Sequence, residues 1–387
     1  MWKRPGGGGL HEPNKGYNRL KSYNWQQSDW PNFTFKLEAL EGLLLTFREK
    51  TGRLGGLLDA MPQNVQSETI IDLMVSEAIK TSEIEGAYLS RPDVLSSIRN
   101  NLGLNRTAEP IGDKRAEGIA ELMLCVRNNW QKPLSRESLF SWHVMLMKGS
   151  RNVRSGAWRK HDEAMRVVSG TVGNETVHFE APPSEKVPGE MKRFITWFNK
   201  TAPGGTCEIR WAPVRAAIAH LYFETIHPFE DGNGRIGRGL AEKAVSQGIG
   251  RPALLSLSKS IETDRSSYYA ALKQGQRSNE ITPWIVWFTG MLLTAQNQAE
   301  AALEFTLKKT RLFDRVQNQL NERQLKALRR MLKDGPDGFE GGMSAEKYKS
   351  ITGTTKPTAT RDLRDLVEKE VFVSTGGGRS VRYHVKL

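Results

Sequence analysis

His227-Pro-Phe-Glu-Asp-Gly-Asn-Gly-Arg-Ile-Gly-Arg238 is the stretch on which the fold and the chemistry turn. It brings an imidazole, a carboxylate at Asp231, three glycines and two arginines into twelve residues. Val214 to Ile226, just ahead of it, contains no Gly or Pro and reads as an apolar helix. Pro213 suits a first helical position, and Pro228 stops the helix at His227. Gly232 and Gly234 permit a tight turn whose backbone N–H groups converge on one spot. Re-entry into helix near Arg235 would put those amides at a positive helix N-terminus. A loop of this kind grips phosphate, His227 beside it can take a proton, and Asp231 can hold a divalent cation.

The chain of 387 residues is long enough for two or three domains. Its apolar, charged and aromatic fractions are those of a soluble globular protein. The formal net charge of +13 implies attraction to an anionic partner without choosing among nucleotide, nucleic acid and acidic protein. Cys125 and Cys207 lie in unrelated contexts without metal-ligand spacing or a disulfide framework, which favours a reducing cytoplasm. Residues 1–20, with Gly6 to Gly9, read as a flexible tail and not as a signal peptide. The longest apolar stretch, Trp284 to Leu293, is too short to span a bilayer, so no membrane partner is expected.

Aromatic residues at Tyr23, Trp25, Trp30 and Phe33 sit among turn formers, as expected of side chains that pin an N-terminal extension onto a core. Leu37, Leu40, Leu44 and Phe47 then have helical spacing, as do Ile70, Leu73, Met74, Ala78 and Ile84 within a helix over 68–87. Thr81 and Glu85 share a face of that helix, and Gly86 terminates it. Helices follow at 115–130 and 135–147, the second with Ser135 as N-cap and His143 as a core histidine. Val167-Val168 and Thr176 to Phe179, around a turn at 170–174, read as a β-hairpin, and 188–199 resumes helix. His220, Glu224 and His227 have metal-ligand spacing, but a single Glu-x-x-His without a second cluster makes His220 a packed structural residue. A helix over 260–274 carries Tyr268 and Tyr269 on different faces, so that one can pack inward while the other covers a flat base. Thr282 and Pro283 open a further helix that runs towards Leu320.

The 227–238 stretch resembles the signature of the Fic (filamentation-induced) family, His-Pro-Phe-x-Asp/Glu-Gly-Asn-Gly-Arg-x-x-Arg, at every specified position. The resemblance covers residues 20–310. It implies a mainly α fold, a helical bundle with a β-hairpin flap, and transfer of AMP from ATP to a Ser, Thr or Tyr hydroxyl of a target protein. It implies His227 as general base and Asp231 as the Mg2+ ligand. Gly232, Asn233, Gly234, Arg235, Ile236, Gly237 and Arg238 would bind ATP, with Arg235 and Arg238 on the outgoing pyrophosphate. Glu175, Thr176, Val177 and His178 of the flap would line the nucleotide, and Tyr268 and Gln276 would contact the adenosine. Thr81, Glu85 and Gly86 match the family's inhibitory Ser/Thr-x-x-x-Glu-Gly/Asn motif, in which Glu85 would pair with Arg238 and leave ATP in a non-productive pose. Relatives that phosphorylate carry Lys at the position of Gly234, which disfavours that branch. Phosphocholine transfer and de-AMPylation stay open.

Residues 321–387 resemble a winged helix-turn-helix: helices at 322–333, 344–348 and 356–369, then a hairpin over 371–385. Lys356, Thr358, Thr360, Arg361 and Arg364 sit where a recognition helix would face DNA. Asp362, Asp365, Glu368 and Glu370 dilute that charge, so a protein-interaction or dimer-stabilising role stands beside DNA binding. The expected organisation is a tail at 1–20, an N-terminal helical extension with the inhibitory helix at 21–110, a catalytic domain at 111–310 and a winged helix at 321–387. A DNA-binding regulator carrying a Fic domain is the different-class alternative.

Overall fold

The computed structural model describes residues 23–150, 153–161, 164–171, 174–333, 335 and 339–387, with the side chains of 168–176 and 379 outside the description. The expected 1–20 tail and residues 172–173 of the hairpin turn lie outside the described residues. In chain order the helices are α1 (Glu41–Asp59), α2 (Gln63–Ile84), α3 (Arg91–Asn101), α4 (Lys114–Asn128) and α5 (Arg136–Leu146). The strands β1 (Arg166–Thr171) and β2 (Asn174–Glu180) come next, followed by α6 (Val187–Lys200), α7 (Ala212–Ile226) and α8 (Asn233–Ile249). Then follow α9 (Leu257–Thr263), α10 (Arg265–Gly275), α11 (Thr282–Val316), α12 (Glu322–Met331), α13 (Ala345–Thr352) and α14 (Lys356–Glu368). The strands β3 (Phe372–Thr375) and β4 (Arg382–Val385) close the chain. The fold is mainly helical, and no helix among the described residues is long and apolar enough to cross a membrane.

The chain divides into two compact units, one of residues up to Gly52 together with Ile70–Gln296, the other of Arg53–Thr69 and Asn297–Leu387. The first is built around α7. All fifteen of its residues are buried, which is why its sequence shows no polar stripe. Its C-terminal half turns Phe223 and Ile226 into a core shared with Phe194 and Phe198 of α6 and Ile236 and Leu240 of α8. The N-terminal aromatics pin the extension to this core as expected. Trp30 and Phe33 meet Tyr222 edge-on at 5.1 and 5.5 Å, and the Trp25 indole donates to the Glu180 carbonyl at 2.8 Å.

Two expectations from spacing need correction. The helix read over 260–274 is two helices, because Asp264 leaves helical geometry and caps α10 by accepting from the Ser267 amide at 3.1 Å. Re-entry into helix comes within the signature at Asn233, two residues ahead of Arg235, with Gly232 as N-cap at φ 83°.

The second unit has its own core, with Leu320, Leu328, Met331, Tyr348, Leu363 and Leu366 among its buried members. Three helices followed by the β3–β4 hairpin reproduce the expected order of elements. Asp362 departs from the expectation that it dilutes an exposed face. It is 7% exposed and turns inward, accepting from Arg323 Nε and from the Tyr348 hydroxyl, both at 2.9 Å.

Candidate active site

His227 is the C-cap of α7 and adopts a left-handed conformation, φ 51° and ψ 60°. A non-glycine residue there carries a strain of about 1–2 kcal/mol, so neighbouring bonds must hold it. The Asn233 side chain supplies two, accepting from the Phe229 N–H and donating to the Phe229 carbonyl, both at 2.9 Å. That side chain is therefore spent on closing the loop, and what Asn233 can offer a phosphate is its backbone N–H. Phe229 is fully buried and stacks on His143 at 4.1 Å. His143 reaches the Asp231 carbonyl through Nε2 at 3.2 Å and accepts from the Gly156 N–H through Nδ1 at 3.0 Å. Burial draws its pKa down to about 4, so it supports the loop as a neutral ring. This core histidine buttresses the signature, a link no spacing revealed.

His227 is itself 4% exposed. Burial, followed by the nearby Arg159 guanidinium, pulls its pKa down to about 3. It is a neutral imidazole and able to accept a proton. Beyond the turn, Asn233, Gly234 and Arg235 form the first turn of α8, whose N–H groups have no helical partners of their own. Arg235 and Arg238 follow at helical i, i+3 spacing on one face. Arg235 Nε and Arg238 Nη1 are buried without a hydrogen-bond partner among the described residues. Two unpaired guanidinium donors beside an open helix N-terminus form a ready anion site.

Arg238 already holds one anion. It donates to Glu85 Oε1 at 2.8 Å, to Thr81 Oγ1 at 2.7 Å and to the Thr81 carbonyl at 2.9 Å. Burial alone would lower its pKa, but the Glu85 carboxylate, helped by Tyr268 and Tyr269, more than offsets that and the net shift is upward. Gly86, at φ 78°, turns the chain just after Glu85. Gly234 does not shape the turn as its spacing implied; it is helical, and a Cβ there would lie 2.2 Å from Glu85 Oε1. Its role is to admit the carboxylate.

Gly237 makes a similar close approach, since a Cβ would lie 2.4 Å from Glu224 Oε1 and 3.2 Å from His220 Nδ1. Gly237→Ala should therefore force Glu224 aside and lower stability by about 1–3 kcal/mol, read as a shift of the urea midpoint at constant m. Glu224 is buried, and burial with the nearby Glu85 charge pushes its carboxyl up to about 8. His220 donates to or accepts from the Tyr268 hydroxyl at 2.9 Å.

Tyr268 is 2% exposed, whereas Tyr269 is 46% exposed. The ring with a face available to a base is thus Tyr269. Gln276 is buried and donates to the Glu224 carbonyl at 3.4 Å, while Ile236 belongs to the core. Val177 is 43% exposed on β2, where it pairs with Val168 of β1. His178 follows it on the same strand, and the side chains of Glu175 and Thr176 lie outside the description. Asp231 sits at the mouth of the loop, its side chain 34% exposed, and approaches Arg235 at 3.3 Å. Among the described residues no cluster of three or more His, Cys, Asp or Glu is placed to hold a metal.

Residues 23–104 match the domain of unknown function DUF4172, and residues 133–244 match the Fic/DOC family. A curated protein of Aquifex aeolicus (strain VF5), named a probable protein adenylyltransferase, is 30% identical over 141 residues, 36% of this chain and 37% of that protein. The chain thus aligns with little more than a third of that relative's length. A Fic family protein from Desulfovibrio desulfuricans G20 has a similar structure, with TM-score 0.54 at 20% identity, covering 92% of this chain and 98% of that one. Fic-1 from C. elegans is also similar, with TM-score 0.51 at 18% identity over 69% of this chain and 74% of that one. At those identities the two structures speak for the fold.

Proposed function

We propose that this chain, whose residues 133–244 match the Fic/DOC family, is a protein adenylyltransferase held in check by Glu85. The observation that carries this reading is the pair of unpaired guanidinium donors of Arg235 and Arg238 on the first turns of α8, in the same twelve-residue stretch as His227. ATP is the substrate this arrangement suits. The acceptor hydroxyl of a Ser, Thr or Tyr attacks the α-phosphorus while its proton passes to His227. The bond from the α-phosphorus to the bridging oxygen breaks, and pyrophosphate leaves. The 233–235 amides face the charge that grows on the transferred phosphate, and Arg235 and Arg238 hold the departing pyrophosphate. Tyr269 offers its exposed face to the adenine, with Tyr268 and Gln276 behind it.

Mg2+ takes few protein ligands when it rides on phosphates, so a single partly exposed carboxylate such as Asp231 fits it. Bound there, it would supply positive charge to the phosphates. The β1–β2 hairpin supplies a strand edge to which a target segment could add by backbone pairing. Incubating the Glu85→Gly protein with ATP and cell lysate, followed by mass spectrometry, tests the reading. An AMP adduct on a hydroxyl supports it, a phosphocholine or phosphate adduct redirects it, and loss of AMP from pre-labelled protein would mark the reverse activity.

A second reading concerns residues 321–387. With Asp362 consumed internally and Asp365 paired to Lys369 at 2.6 Å, α14 exposes Lys356, Thr360, Arg361 and Arg364. That face and the following hairpin support a winged helix able to meet duplex DNA. The full-length protein should then shift a DNA duplex at low salt, and Arg361→Ala with Arg364→Ala should reduce the slope of log K against log salt by about 1 per residue. No shift at low salt would favour a protein interface, including one between two copies of the chain.

A further inference from the structure

Arg159 lies outside every motif in the sequence, yet it is 1% exposed and no carboxylate pairs with it among the described residues. A charge buried in that way is unfavourable unless its N–H groups are satisfied, and here they are. Nε donates to the His227 carbonyl at 2.7 Å, and Nη2 donates to the Ile226 carbonyl at 3.3 Å. These are carbonyls at the end of α7 that the helix itself leaves open. The other side of the guanidinium faces the exit of the hairpin. Nη2 also donates to the Pro182 carbonyl at 2.5 Å, and Nη1 to Ser184 Oγ at 2.9 Å. Ser184 Oγ accepts in addition from the His161 N–H at 3.1 Å. The Arg159 backbone joins the same set, its N–H donating to the Pro228 carbonyl at 2.9 Å. One side chain thus ties the strained backbone of His227 to the residues that follow β2.

We propose that Arg159 is a positioning residue for the transfer, locking the backbone that carries His227 and the root of the β1–β2 hairpin to a single guanidinium. The base and the strand edge that presents the acceptor then keep a fixed separation, and near-attack geometry is set before ATP arrives. This inference rests on the transferase reading above. The fork geometry matters, because a lysine ammonium is a point charge that cannot address carbonyls on both sides in one plane. The guanidinium also acts on the ring electrostatically, since it is the largest influence after burial that keeps His227 neutral.

The test uses the full-length Glu85→Gly protein as parent, with Arg159→Met, Arg159→Lys and Ser184→Ala added singly. Arg159→Met is expected to lower kcat for self-labelling about 100-fold while KM for ATP stays within about threefold. The acid limb of its kcat/KM profile should move to higher pH, because the positive neighbour of His227 is gone. Arg159→Lys should restore the position of that limb and recover part of kcat. Ser184→Ala should cost a few-fold in kcat, roughly one lost hydrogen bond, with the limb unmoved. Hydrogen exchange of the β1–β2 amides should quicken in the Met and Ala variants independently of activity. A Met variant with kcat within about threefold of the parent, or with lost activity but an unmoved pH limb, overturns the inference. If the Met protein does not fold, the Lys and Ala variants decide, and parent-like kcat and hairpin exchange in both overturn it. A silent parent sinks the transferase reading and this inference with it, whereas a labelling parent with parent-like variants sinks this inference alone.

Discussion

Glu85→Gly is expected to raise self-AMPylation about 10- to 100-fold over the unaltered protein, the range of a typical coupling free energy between two sites. The Glu85 carboxylate occupies Arg238 at 2.8 Å, and Thr81 takes two more of the donors on the same guanidinium. A γ-phosphate meeting this site must displace the carboxylate or bind elsewhere. The variant frees Arg238 but leaves a buried cation unpaired. Breaking a buried ion pair from one side costs about 3–5 kcal/mol, and because the Glu85 side chain is 16% exposed the low end of that range applies. The variant should therefore melt below the unaltered protein without nucleotide and gain more from saturating ATP, since the phosphates replace the missing carboxylate and binding stabilises by mass action. Labelling with α-labelled ATP and a thermal melt with and without ATP read the two consequences separately. Equal label on both proteins would sink inhibition by Glu85, and equal thermal gains would show that Arg238 does not meet the nucleotide.

The parts of this fold that could be read from the sequence are those whose cause is local. Pro213, Pro228 and the absence of Gly and Pro between Val214 and Ile226 bound α7 because they act on their own backbone. Ser135 caps α5 for the same reason, accepting from the Ser138 amide at 3.1 Å. Asp264 was legible in principle, since an Asp that can accept from the amide three residues on is a helix start, but unbroken apolar spacing hid the break. The pairing of Glu85 with Arg238 spans 153 residues and could be expected only because a family resemblance joined the two motifs.

Neither spacing nor resemblance pointed to Arg159 or to the contact of His143 with the loop. An arginine whose partners are backbone carbonyls leaves no complementary residue type to find, and a histidine stacked on Phe229 looks like any core ring. Tyr268 and Tyr269 were separable into an inward and an outward ring by helical geometry alone, yet which was which depended on His220 reaching Tyr268 from another helix. The glycines of the signature carry the same lesson. Gly232 follows the turn logic of its positive φ, whereas Gly234 and Gly237 are set by what packs against them.

His227→Ala and His227→Asn are expected to abolish transfer, each losing at least about 1,000-fold in rate, within the range that general base catalysis supplies. Two substitutions are needed because His227 sits in the left-handed region. Alanine there retains the strain and invites the loop to relax, whereas asparagine tolerates that conformation and keeps the backbone while removing the base. ATP affinity measured by calorimetry should stay within about threefold in the asparagine variant, because in the proposed site the phosphates would rest on the α8 amides and on Arg235 and Arg238. The pH dependence gives the sharper check. A base works when neutral, and burial together with Arg159 pulls His227 well below the ordinary histidine value. The neutral form then persists as pH falls through 6.5, and kcat/KM for ATP in the Glu85→Gly protein, which reports the free enzyme, should keep its plateau there. An acid limb near 6.5 that disappears in no other way than by changing His227 would mean a solvated imidazole and a loop more open than this one. Retained labelling by the asparagine variant would remove His227 from the proton transfer and pass that task to the substrate phosphates or to water.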